Sequence, residues 1–209
     1  RSMSETHDVV CLSRGATDVD GVEALQGDFA TDEGIALVEG DIDAVVHLAA
    51  VTGGGTEREC MGVNVLGTHL LLRTLIDRGC RKFALASSIA AVGFQSPLFR
   101  PLEVPIPDEH PCLDRDGYGV SKYLMEEMTR YVSRQTPDVD IINIRLASII
   151  REDATPSPIQ PGPVGQWSIG APSLMYLSDA VRCFTMSAES AQKPGVRIMN
   201  AVGAQACVS

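Results

Sequence analysis

No Cys-x-x-Cys pair and no His-x-x-x-His spacing occurs in this chain, so its six cysteines, at positions 11, 60, 80, 112, 183 and 207, outline neither a zinc site nor a disulfide framework. Several lie in apolar runs, where a free thiol behaves as a small hydrophobe, and a reducing cytoplasm is the expected setting. Positive charge is short as well: 17 Lys and Arg against 27 Asp and Glu leave a net charge of -10, which argues against nucleic acid or an anionic membrane as a partner. No apolar run approaches the ~20 residues that cross a bilayer. An apolar leader-like segment, internal repeats and low-complexity tracts are likewise missing. What is left, 209 residues with 44% apolar and 21% charged content, is the composition of a soluble globular domain able to build a core.

Hydrophobic patterning alternates between two types of segment. Strands are expected at 8 to 13, 24 to 27, 43 to 49, 82 to 87, 140 to 145 and 196 to 200. The 43 to 49 and 82 to 87 runs are continuously apolar, as befits strands covered on both faces of a parallel sheet. Helices are expected at 31 to 39, 57 to 77, 117 to 135 and 178 to 189. Strands separated by helical stretches predict an α/β fold, a doubly wound parallel sheet with right-handed crossovers. Two segments break the pattern. Residues 93 to 116 are proline-rich and aperiodic, a loop leading into the 117 to 135 helix. Residues 151 to 172 hold five of the twelve prolines and the only tryptophan, which reads as an irregular lid or small substrate lobe.

The chemistry concentrates in Gly117-Tyr-Gly-Val-Ser-Lys-Tyr-Leu-Met-Glu-Glu-Met128. Tyr118 and Lys122 stand one helical turn apart, so the phenol and the ammonium rise from one face. A phenol with an ordinary pKa near ~10 is a poor base at neutral pH, and a cation about one turn away favours the phenolate. Such a pair can take a proton from an alcohol. About thirty residues upstream, Lys82-Phe-Ala-Leu-Ala-Ser-Ser-Ile-Ala-Ala-Val-Gly93 is a strand-like run ending in two serines, which completes a Ser, Tyr, Lys order. Ser121 and Lys122 are adjacent and point to different helix faces, which disfavours a Ser-Lys hydrolase.

With Asp8-Val-Val-Cys-Leu-Ser-Arg14, Leu25-Gln-Gly-Asp-Phe29, Ala44-Val-Val-His-Leu-Ala-Ala50, Asn64-Val-Leu-Gly-Thr68 and Met175-Tyr-Leu-Ser-Asp179 in the same order, the chain resembles the extended short-chain dehydrogenase/reductase family, which includes NAD-dependent epimerases and dehydratases. The resemblance covers most of the chain. It implies a Rossmann-like dinucleotide-binding domain over 1 to 150, a reduced substrate lobe over 151 to 177, and a returning helix and strand over 178 to 209. The family's glycine-rich phosphate turn and first strand are expected ahead of Val10 and do not occur in this sequence, so a longer natural protein is expected. Gly53-Gly-Gly55 follows the wrong strand to replace that turn.

The resemblance also assigns roles. Ser88, rather than Ser87, would hydrogen-bond the reacting substrate oxygen, Tyr118 would be the general acid/base, and Lys122 would lower the phenol pKa and hold the nicotinamide ribose. Ser13 and Arg14 replace the acidic residue that often ends the corresponding strand. A serine and an arginine can bind a 2′-phosphate, so NADP is favoured over NAD, with Asp18 or Asp20 as the ribose contact in the NAD case. Asp28 and Phe29 match adenine-edge contacts, and Ala49 and Ala50 match the small residues over which the dinucleotide passes. Asn64 occupies a position grouped with the cofactor site that more often organises backbone and water.

The short interval between Arg145 and Met175 resembles compact members such as uronate and other sugar-acid dehydrogenases, with Ser148 and Arg151 as substrate contacts and Arg151 as a carboxylate clamp. The implied activity is hydride transfer between NAD(P) and a hydroxyl-bearing carbon of a small polar substrate such as a sugar or sugar acid. An epimerase or dehydratase with bound NAD(P), and a non-catalytic dinucleotide-binding sensor, stay open beside it. A homodimer is expected through the 57 to 77 and 117 to 135 helices, on the apolar surface of Leu124, Met125, Met128, Tyr131 and Val132.

Overall fold

The computed structural model describes residues 2–52, 54–94, 96, 98–154 and 174–203. Its elements run β1 (Val9–Ser13), β2 (Val22–Gln26), α1 (Asp32–Ala36), β3 (Ala44–His47), α2 (Glu57–Cys60), α3 (Thr68–Asp77), β4 (Lys82–Ser88), α4 (Gly117–Gln135), β5 (Asp140–Leu146), β6 (Ser148–Ile150), β7 (Leu174–Tyr176), α5 (Leu177–Glu189) and β8 (Gly195–Ala201). Among the described residues all strand pairing is parallel. Strands β3, β4, β5 and β8 form one sheet in that order, β1 pairs with β2, and β6 pairs with β7. Among the described residues the second edge of β1 and the outer edge of β3 carry no strand.

Alternation along β4 and β5 explains why helices cover both faces. Phe83, Leu85 and Ile141 pack with Leu71, Leu72, Leu75 and Ile76 of α3 and with Met125 and Val132 of α4. Ala84, Ala86, Ile142 and Ile144 face the opposite way, toward Phe184 of α5. The small side chains at 84 and 86 give that helix room to approach. Each large apolar side chain removed from water here contributes roughly 1.5–3 kcal/mol.

Local chemistry sets the helix ends. The Asp116 carboxylate accepts from the Tyr118 backbone N–H at 2.8 Å and starts α4 at the turn that carries the phenol. Helix α3 stops at Gly79, whose φ of 102° is the left-handed turn. There the Gly79 N–H bonds Ile76 and the Cys80 N–H bonds Leu75, both at 2.9 Å.

Two expectations need correction, and one pair of strands is additional. The 57 to 77 segment is helical but not uniformly α: Met61–Gly67 is a π-helical stretch between α2 and α3. Its wider turn accompanies a buried Asn64 whose amide holds the Val51 backbone. Met125 and Val132 of α4 are fully buried in the core, so the apolar surface of that helix consists of Leu124 and Tyr131, with Met128 half-buried. The short parallel pair of β6 and β7 is not evident from patterning. Most of the 151 to 177 lobe lies outside the described residues.

At the amino end of the sheet, Asp140 is buried and gathers Lys82 Nζ at 2.7 Å, the Lys193 N–H at 2.8 Å and the Arg197 guanidinium. Burial alone would raise this carboxyl. Hydrogen bonds from Lys82, Lys193 and Arg197 outweigh it and hold the group below its ordinary value.

Candidate active site

The residues expected at the site come from the carboxyl ends of the parallel strands. Ser13 and Arg14 lie at the end of β1, Asp28 and Phe29 just beyond β2, Ala49 and Ala50 just beyond β3, and Ser88 at the end of β4. Open parallel sheets bind ligands at this end because the strand-to-helix loops converge there.

Strand β4 and helix α4 bring the catalytic candidates together. The Ser88 hydroxyl accepts from the Ala90 N–H at 3.1 Å and lies near enough to the Tyr118 phenol to pull its pKa downward. Ser87 points the other way, donating to the buried Glu126 carboxylate at 2.6 Å. The two neighbouring serines are thus separated by the pleat, one into the core and one to the phenol. Lys122 is buried, donates from Nζ to the Ala86 carbonyl at 2.7 Å, and sits 5.8 Å from the centre of the Tyr118 ring. Burial pushes Lys122 down to about 8, against the pull of the Glu126 carboxylate.

The expectation that Lys122 brings the phenol down is corrected. Burial pushes Tyr118 above its ordinary value, the Ser88 hydroxyl opposes that shift, and Cys60 adds to it. Removing a phenolate from water costs more here than its neighbours return. At neutral pH the phenol therefore holds its proton.

Asn64 is buried, and its amide is occupied by protein. It accepts from the Val51 N–H at 2.8 Å and donates to the Val51 carbonyl and to Ser121 Oγ, each at 2.9 Å. Ser121 in turn donates to the Tyr118 carbonyl at 2.7 Å. This chain ties the π-helical turn to the first turn of α4, and with both of its N–H groups engaged within the protein Asn64 acts by holding the backbone.

The cofactor candidates are positioned unequally. Ser13 Oγ is engaged with Gly15, donating to its carbonyl at 2.8 Å, and Arg14 is exposed. The Asp28 carboxylate accepts from the Ala30 N–H at 2.9 Å, a local turn, while the Phe29 ring meets the His47 ring edge-on at 4.7 Å. Ala49 is exposed and Ala50 half-buried, leaving small side chains at the strand end where a dinucleotide would cross. Exposed small residues at that strand end, with a buried ammonium and a phenol nearby, fit a nicotinamide dinucleotide.

Of the substrate candidates, Ser148 opens β6 opposite Leu174. Arg151 is 80% exposed and forks onto Asp153 at 3.0 and 3.3 Å, a surface pair that solvent screens.

Two buried groups escaped the sequence reading. His47, at the end of β3, contacts Thr68 Oγ1 at 3.1 Å and is driven to about 3 by burial and by the charge of Lys122, so it is neutral. Arg145 holds Glu126 through Nε at 2.9 Å and Nη2 at 2.8 Å, and donates from Nη1 to the Asp108 carbonyl at 2.8 Å. The spacing of Glu126 four residues after Lys122 was the available signal.

Residues 1–157 match the NAD dependent epimerase/dehydratase family. UDP-glucose 4-epimerase 2 of Arabidopsis thaliana is 30% identical over 139 residues, 65% of this chain and 36% of that protein. Against the first curated relatives the chain spans only 25% to 36% of their length. Among solved structures, MoeE5 in complex with UDP-glucose and NAD superposes with a TM-score of 0.77 at 17% identity, covering 98% of this chain and 71% of that one. Uronate dehydrogenase from Agrobacterium tumefaciens gives 0.75 at 18% identity, over 99% and 71%. These likenesses establish the Rossmann-like α/β fold.

Proposed function

The chain belongs to the NAD dependent epimerase/dehydratase family, and on that premise we propose that it supplies the acid/base half of an NAD(P)-dependent oxidoreductase acting on a hydroxyl-bearing carbon of a sugar or sugar acid. The observation that carries this reading is the convergence of Ser88, at the end of β4, with Tyr118 and Lys122 of α4, where Lys122 Nζ lies 5.8 Å from the centre of the phenol ring and Ser88 pulls the phenol pKa downward. A bound nicotinamide supplies the hydride chemistry. Tyr118, protonated at neutral pH, donates its proton to a carbonyl oxygen in the reductive direction. In the oxidative direction the phenol first gives up its proton to solvent; the phenolate, stabilised by the Lys122 ammonium, then takes the alcohol proton as the hydride leaves for the nicotinamide. Ser88 orients the substrate oxygen, and Lys122 reaches the ribose.

Ser13, Arg14, Asp28, Phe29, Ala49 and Ala50 are the proposed dinucleotide contacts, with NADP favoured over NAD because β1 ends without a carboxylate. Asn64 is retained as an organiser of that site. Ser148 and Arg151 are proposed substrate contacts, Arg151 as a carboxylate clamp. The domain limits read from the sequence are kept as part of the proposal, as is a cytoplasmic setting, supported by free thiols at Cys11, Cys60, Cys80, Cys112 and Cys183. A homodimer is proposed on the exposed Leu66, Leu124 and Tyr131.

The epimerase reading is favoured by the Arabidopsis relative. Supplying sugar substrates with free NAD(P)+ separates the two: stoichiometric reduced cofactor supports a dehydrogenase, and turnover without it supports an epimerase. Tyr118→Phe tests both against a non-catalytic sensor. Turnover that survives this substitution unchanged refutes the acid/base assignment.

A further inference from the structure

Helix α4 meets strand β4 through three successive turns of one face. Tyr118 reaches Ser88, Lys122 donates to the Ala86 carbonyl, and Glu126 accepts from Ser87. The third contact is ionic and fully desolvated: Glu126 and Arg145 are 1% and 3% exposed at their side chains and are joined by two hydrogen bonds. Arg145 stands directly opposite Ser87 in the β4–β5 register, so one carboxylate ties the helix to two strands. A desolvated charge pair beside a buried ammonium is electrostatically strong because little water screens it.

We propose that Glu126 is a positioning residue for the reaction, its carboxylate fixing α4 on β4 and supplying the negative charge that balances the Lys122 ammonium one helical turn away. This rests on the reading of Ser88, Tyr118 and Lys122 as the acid/base centre. The groups facing Lys122 are few. Tyr118 and Glu126 lie on its own helix, Cys60 approaches from α2, and neutral His47 from β3, with Arg145 of β5 behind Glu126. Glu126 pulls the lysine upward against the downward effect of burial, so losing that carboxylate lets burial act with less opposition.

The chain contains three lysines, Lys82, Lys122 and Lys193, so isotope-labelled lysine resolves Lys122 by nuclear magnetic resonance without reliance on activity. In Glu126→Gln the Lys122 midpoint is expected to fall by about one pH unit. Glu126→Asp, which keeps the charge, stays near the parent. If Glu126→Gln does not fold, Glu126→Met combined with Arg145→Met removes the pair as a unit, an exchange that buried ion pairs often tolerate, and a smaller fall in the same direction is expected because the Arg145 charge leaves with the carboxylate. An unmoved midpoint in the folded variant overturns the proposal. The alkaline limb of kcat/KM must move with the midpoint; a midpoint that shifts while the limb stays fixed overturns the positioning role. If the parent protein shows no hydride transfer, the functional reading fails while the lysine titration still decides the charge relation.

Discussion

Replacing Asp140 by Asn separates stability from chemistry. Asp140 begins β5 at the amino end of the sheet, and Leu146, paired with Ser88, ends it. Six residues of strand put the substitution roughly 20 Å from the phenol centre. In the parent, the buried carboxylate answers Lys82, which is itself only 6% exposed, together with the Lys193 N–H and Arg197. An amide of the same shape carries no charge and turns an N–H toward one of the two cations. Breaking a buried pair in this way costs about 3–5 kcal/mol. For a chain of this size that corresponds to a melting temperature lower by roughly 6–20 °C.

The pH dependence fixes the sign. The folded Asp140 carboxyl lies below its ordinary value, so its contribution is complete above the unfolded carboxyl range and is lost as pH falls through the lowered folded value. The gap between parent and Asp140→Asn melting temperatures should therefore be widest near neutrality and close below about pH 4. Thermal unfolding followed by circular dichroism from pH 3 to 8 measures it, and turnover of the folded variant at low temperature is expected to match the parent. A melting temperature within 2 °C of the parent, about 1 kcal/mol or less, refutes the claim that this carboxylate holds the two cations.

Ser88→Ala should lower turnover by about 10²-fold or more with little change in melting temperature, since its hydroxyl serves the phenol. Ser87→Ala should instead cost about 1–3 kcal/mol of stability by removing a buried donor from Glu126. With Lys122 pushed down to about 8, kcat/KM should fall as pH rises through that value, because the ammonium is then lost; a profile flat to pH 10 contradicts the assignment. Asn64→Ala leaves the Val51 N–H and carbonyl without their partner and is expected to destabilise by about 1–3 kcal/mol, read from urea unfolding. If the Leu66, Leu124 and Tyr131 surface joins two copies, Leu66→Asp should convert a sedimenting dimer to monomer; an unchanged dimer rules out that face.

Much of the fold was legible because its signals are local. The continuous apolar runs at 43 to 49 and 82 to 87 had to be covered on both faces, and the observed strands Ala44–His47 and Lys82–Ser88 lie there. Expected helices over 117 to 135 and 178 to 189 meet Gly117–Gln135 and Leu177–Glu189 almost residue for residue, since capping and periodicity are written in neighbouring positions. The π-helical turn was hidden, because a partner at Val51, thirteen positions away, accompanies it.

At the site the division is the same. Sequence alone determined that Tyr118 and Lys122 share a helix face and that a serine ends the strand before them. Only tertiary structure decided that Ser87 turns to the buried Glu126, and that Glu126 is clasped by Arg145 behind the lysine. The direction of the Tyr118 shift was likewise out of reach, because a phenol responds to the water it has lost as well as to the cation one turn away. Spacing reports neighbours along a helix; desolvation and long-range pairing exist only once the sheet has brought distant segments together.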